Sequence, residues 1–149
     1  MRLGGDVMSD AEVRQQIDRG ERYDGIAIEK DVNLRIRPSD WSGIHGNHSC
    51  DPNLWLAAPL EIAARRAIEQ DEEVVSDYAT YTMAPDWSMD CSCRSSLCRG
   101  TVTGDDWRRP ELQQRYAGHF APPITRLISV GFDRRSRRDS RPVTEAAMR

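Results

Sequence analysis

Hydrophobic and polar positions alternate with two different periods along the chain. Near the start, Ser9-Asp10-Ala11-Glu12 has the form of a capping box, Ser9 as N-cap and Glu12 three residues on. It predicts a short helix ending before Gly20, with Ala11, Val13 and Ile17 as a narrow apolar stripe. The period then drops to two. Tyr23 to Ile28 alternates with Ile26 and Ile28 on one face, and Val32 to Ile36 alternates again. Lys30-Asp31 between them is the expected hairpin turn. Leu60 to Ala64 alternates as a further strand, residues 66–71 turn, and Val74-Val75 opens a short buried run closing at Tyr78. Pro110-Glu111-Leu112 opens a helix, proline suiting its first turn. Pro122-Pro123 then separates it from a second short helix in which Ile124, Leu127 and Ile128 share a face. Many short strands with few helices predict a mainly β, α+β fold.

One stretch fits neither period. Asn47-His48-Ser49-Cys50-Asp51-Pro52-Asn53 is polar, and proline drives Asp51 away from helical angles. No helix or strand is expected in it. Trp41 and Ile44 flank it on one side and Leu54, Trp55 and Leu56 on the other. A polar bend between apolar flanks is either a plain surface turn or the lining of a site.

With 149 residues the chain suits one domain and a real core. Its net charge of −3 excludes little, but the distribution is uneven. Arg134, Arg135, Arg137, Arg138 and Arg141 crowd a C-terminal stretch without periodicity, read as a disordered tail over 133–149. Such a tail offers charge to nucleic acid or another polyanion, and we read it as solvated instead. Residues 1–6 lack the apolar core of a signal peptide, and no run approaches the ~20 apolar residues of a membrane span. A cytoplasmic setting is expected, where clustered cysteines read as metal ligands before disulfides.

The cysteines sharpen this. Cys91, Cys93 and Cys98 place three thiols within eight residues. A structural Zn²⁺ takes four tetrahedral ligands, so three local thiolates leave one vacancy, and Cys50 is the only cysteine left to fill it. One disulfide with two free thiols, or four small buried side chains, are the alternatives.

Three motifs now stand in order: Asn47 to Asn53, then Glu72-Glu73-Val74-Val75-Ser76-Asp77-Tyr78, then Cys91-Ser92-Cys93 with Cys98-Arg99-Gly100. Together they resemble a SET-domain protein-lysine methyltransferase with a post-SET zinc motif, over roughly Leu3 to Gly104. The resemblance implies a β-clip of short strands with a knot-like C-terminal segment. It divides the chain into a partial SET domain (1–82), a post-SET zinc loop (83–104), a C-terminal helical extension (105–132) and the tail. It assigns Cys50, Cys91, Cys93 and Cys98 to zinc, Asn47, His48 and Tyr78 to S-adenosylmethionine, and Tyr78 to catalysis. The implied partner is a protein substrate presenting a lysine. Chemically, methyl transfer needs an uncharged amine although free lysine has a pKa near ~10.4. An apolar channel beside a sulfonium disfavours the ammonium, and alignment supplies much of the rest. A tyrosine hydroxyl at a strand end can orient such an amine.

Four features depart from the family pattern, one of them His45-Gly46 before Asn47, where a bulky apolar residue is usual two places earlier. The Gly-x-Gly segment that approaches the cofactor is not found, which implies a start site placed too far downstream or a shortened chain. Asp71 stands where a glycine usually begins the turn before Glu72-Glu73, and Ser76 stands where an aromatic is common. An alternative function follows from the missing segment: a catalytically inactive SET remnant serving as a zinc-stabilised protein-interaction module.

Overall fold

A computed structural model describes residues 1–21, 23–37, 47–84 and 86–139, with side chains as far as 131. Trp41, Ile44 and most of the arginine tail lie outside the described residues.

Among those residues the chain forms nine short strands and three α-helices. Strand β1 (Asp6–Met8) precedes helix α1 (Asp10–Asp18), which the expected capping box closes: Ser9 Oγ accepts from the Glu12 amide, and Glu12 accepts from the Ser9 amide. The predicted apolar stripe is not what α1 buries. Gln16 is its buried residue while Ile17 stays exposed, because the face turned inward is the one that meets β3.

Strands β2 (Gly25–Glu29) and β3 (Val32–Arg35) form the expected antiparallel hairpin, and Asp31 takes the positive φ of 58° that its turn requires. β1 joins the far edge of β3, giving the order β1-β3-β2. The polar bend holds a strand where none was expected. Asn47–His48 is β4, which pairs in parallel with β7 (Val75–Ser76). Between them, β5 (Leu54–Ala58) and β6 (Glu61–Ala64) form a second hairpin. Leu60, expected as the first strand residue, sits in the turn instead. β8 (Ser88–Asp90) and β9 (Thr101–Thr103) pair antiparallel, and the loop between them carries three cysteines. The short strands agree with the mainly β expectation at that level.

After a 3-10 turn at Asp106–Arg108 come α2 (Pro110–Arg115) and α3 (Pro122–Asp139). The two prolines expected to separate the helices are the first turn of α3, where neither missing amide is needed. α3 is also longer than expected, since its backbone carries helix through Asp139, into the stretch read as disordered from 133. Two buried clusters flank residues 120–124. Phe120 and Ile124 pack with Trp107, Leu112 and Tyr116, whereas Ala121 packs with Ile26, Leu34 and Leu56. The Ala121 amide donates to the Thr80 carbonyl at 2.7 Å, which ties this junction to the last residue of the turn that Tyr78 opens.

Candidate functional site

The site is built by closing two segments on each other. The β4–β7 pair starts it, and the Ser49 amide donates to the Ser76 carbonyl at 3.0 Å. Asn47 Nδ2 donates to Glu73 at 2.6 Å. At the other end of the bend Asn53, almost fully buried, uses every polar atom of its side chain. Its Nδ2 donates to Glu72 Oε1 (2.9 Å) and the Glu73 carbonyl (2.8 Å), and its Oδ1 accepts from the Val75 amide (2.9 Å). A buried amide left unpaired would cost several kcal/mol, so complete pairing is what lets so polar a segment pack inside. Asp71, at the position where a glycine was expected, has φ of 64°, the left-handed region that glycine enters freely and aspartate tolerates. The backbone need is the same, and only the side chain differs.

Second comes the cysteine cluster. The four sulfurs of Cys50, Cys91, Cys93 and Cys98 all lie within 4.8 Å of one another, and no disulfide joins them. Sulfurs ~2.3 Å from a tetrahedral centre sit ~3.8 Å apart. Cys50 and Cys91 are separated by 3.9 Å. The donor set therefore fits a structural zinc ion. Burial pushes the Cys50 thiol up to about 12, opposed by the Arg99 amide that donates to its sulfur at 3.3 Å. A bound cation is the natural compensation for a thiolate there. Two glycines shape the loop. Gly100 holds φ of 73° and its carbonyl accepts from the Cys91 amide at 2.6 Å, while a Cβ on Gly104 would overlap the Ala84 carbonyl.

His48 connects the cysteine cluster to Tyr78. Its Nδ1 accepts from the Tyr78 amide at 3.2 Å and therefore carries no proton. Nε2, 3.3 Å from Cys50 Sγ, is then the protonated nitrogen and donates to the sulfur. Burial lowers the His48 pKa, with Asp77 acting in the opposite sense, which favours the neutral ring. Tyr78 opens a 3-10 turn (Tyr78–Thr80) capped by Asp77, whose side chain accepts from the Ala79 amide. Its ring stands against His48 (centroids 5.2 Å apart), Tyr81 (5.7 Å) and Trp87 (6.0 Å). Ser76, the small residue two places before it, bonds the Tyr81 hydroxyl at 2.7 Å, so the room left by serine is met by Tyr81 reaching back.

A buried charge network lies underneath. Arg99 donates both Nη groups to Asp77, each at 2.7 Å, and its Nε lies 2.8 Å from Asp106 Oδ2. Tyr116, fully buried, donates its hydroxyl to Asp77 at 3.1 Å, and Thr103 donates to Asp106 at 3.1 Å. Burial works against the guanidinium's charge, and Asp77 more than restores it, so the Arg99 pKa lies above its ordinary value. Arg115, at the end of α2, donates to the Cys50 carbonyl at 3.3 Å.

All seven sequence-predicted residues thus come together in one region: four cysteines in a cluster, His48 against it, Tyr78 against His48, and Asn47 beside them on β4. Sequence reasoning missed Arg99, Asp106 and Tyr116. The arginine directly after the last cysteine was the available signal, but burial of a charge has no signature in a single sequence.

No family model matches the chain. It is similar to the histone-lysine N-methyltransferase ash1 of Drosophila melanogaster, with 36% identity over 69 residues. The match takes in 42% of this chain and 3% of that protein, so the chain spans only a small part of its curated relative.

Proposed function

We propose that the chain is an S-adenosylmethionine-dependent methyltransferase acting on lysine side chains of a protein substrate, held in shape by one structural zinc. The observation that carries this reading is the His48 ring, bonded at one nitrogen to Cys50 and at the other to the Tyr78 amide. The ring joins the first motif to the second, and Cys50, 3.9 Å from the Cys91 sulfur, carries the connection on to the third. The partial similarity to a histone-lysine methyltransferase supports the same class.

In this reading the zinc, held by Cys50, Cys91, Cys93 and Cys98, supplies only rigidity. The chain's own residues do the rest. Tyr78, fixed at a capped turn, orients the substrate amine. The backbone of Asn47 and His48 would hold S-adenosylmethionine, which would supply the methyl group, because both side chains are engaged within the protein: Asn47 with Glu73, His48 with Cys50 and Tyr78. The four free thiols fit a reducing compartment such as the cytoplasm. No described helix is long and apolar enough to cross a membrane.

That same engagement of the Asn47 and His48 side chains favours one second reading, a zinc-stabilised interaction module that binds no cofactor. The test begins with calorimetric titration of S-adenosylmethionine, followed by transfer of a labelled methyl group to protein acceptors. Binding, with transfer abolished in Tyr78→Phe while zinc and fold persist, is the expected result. Absence of binding replaces the enzyme with the module, and an unchanged rate in Tyr78→Phe removes the tyrosine from its role.

A further inference from the structure

Arg99 belongs to two structures at once. Its backbone lies inside the cysteine loop, between Cys98 and Gly100, and its amide donates to Cys50 Sγ. Its side chain leaves that loop and ends on Asp77, the residue that caps the Tyr78 turn, through two parallel bonds of 2.7 Å each. Asp77 Oδ1 also accepts the Ala79 amide at 3.0 Å, so its carboxylate plane and the turn backbone share one geometry. Both partners are buried: the Arg99 side chain is 5% exposed and that of Asp77 0%. A planar guanidinium bonded at both Nη atoms cannot rotate without breaking a bond. The position of the cysteine loop is therefore passed to the carboxylate, and from the carboxylate to the residue after it.

The loop has little else to hold it. It spans ten residues between two three-residue strands, contains no helix, and adds no side chain to the buried apolar core. Segments with so few buried apolar contacts order only when something ties them.

We propose that Arg99 is a positioning residue for Tyr78, transmitting the order of the metal-bound cysteine loop to the tyrosine through Asp77. That the tyrosine then orients a substrate rests on the methyl-transfer reading; the mechanical link does not. Metal occupancy and the Tyr78 turn form one unit, and weakening the fork at Arg99 reproduces at Tyr78 what metal removal does, with the metal still bound.

The experiment uses the full chain labelled with ¹³C at the ζ carbon of its four tyrosines, Tyr78→Phe assigning one signal. Spectra are taken with zinc, after chelation, and for Arg99→Lys, which keeps the charge and loses the fork. Chelation and Arg99→Lys should each shift or broaden the Tyr78 signal, with Arg99→Lys retaining one zinc per chain. In methyl transfer, kcat should fall on the order of 10²-fold while KM for peptide and cofactor holds. A Tyr78 signal that stays in place in zinc-loaded Arg99→Lys overturns the proposal, as does one that stays in place on chelation. Should Arg99→Lys shed its zinc, the Arg99 Nε–H signal of the unmutated chain decides. It must move together with Tyr78 on chelation, and a Tyr78 signal that moves while Arg99's does not overturns the link. Where the unmutated chain transfers no methyl group, the methyl-transfer reading fails, and the tyrosine signal still decides the positioning.

Discussion

Charge balance around Arg99 makes a rank-order prediction. Asp77 accepts four hydrogen bonds, two from Arg99 at 2.7 Å, one from the Ala79 amide at 3.0 Å and one from the Tyr116 hydroxyl at 3.1 Å. Water reaches none of them from the carboxylate side, since the Asp77 side chain is 0% exposed. In Asp77→Asn the size is kept, but one acceptor becomes a donor facing an Nη–H. The guanidinium keeps Asp106 at 2.8 Å, so its charge is not stranded. Breaking a buried pair costs roughly 3–5 kcal/mol, and this variant belongs at about 3 kcal/mol. Arg99→Met is worse, because it leaves two buried carboxylates with no cation between them, which places it at about 5 kcal/mol or above. For a domain of this size each kcal/mol moves Tm by roughly 2–4 °C, so the shifts should be about 6–12 °C and about 10–20 °C. The assay is calorimetric unfolding at one fixed free-zinc concentration, since metal binding to the folded state alone raises apparent stability. The double variant should cost less than the sum of the singles by more than about 1 kcal/mol, as expected for groups in direct contact. If Asp77→Asn proves more costly than Arg99→Met, or if both cost less than about 1 kcal/mol, the charge accounting is wrong.

Further outcomes are expected elsewhere. The purified chain should hold one zinc ion, and Cys50→Ser should weaken it by more than about 100-fold in competition with a chromophoric chelator, beyond the loss seen for groups that merely support a ligand. Glu72, bonded by Arg66 and Asn53, is held at about 2 against its ordinary 4.5. Its stabilising share is therefore complete above pH 4.5 and lost as pH falls towards about 2, and Arg66→Gln should return the Glu72 titration, followed by carboxyl NMR, towards the ordinary value. Asp71→Gly should raise stability by up to about 1 kcal/mol in urea unfolding, since it relieves a left-handed non-glycine residue at some entropic cost to the unfolded chain.

Local order was legible wherever the signal is local. The Ser9 capping box, the Lys30-Asp31 turn and the proline that opens α2 each act within a few residues, and each lies where the chain's own pattern put it. Strand β4 was not legible, because two polar residues form a strand only by borrowing the edge of β7, whose paired residues are 28 positions further on in the chain (Asn47 with Val75, His48 with Ser76). α1 shows the same limit: an apolar stripe can be read from spacing, but which face meets the core is settled by where β3 lies. Counting could name Cys50 as the fourth thiol, since only one cysteine remained after three had been grouped. Nothing local could seat Arg99 between Asp77 and Asp106, because a buried ion pair exists only once segments distant in the chain have excluded water together. The chain by itself determined the ligand types and most of the short elements. Tertiary closure alone decided which polar groups lose their water, and that loss is what turns a ring of histidine, a fork of arginine and a capped tyrosine into one rigid site.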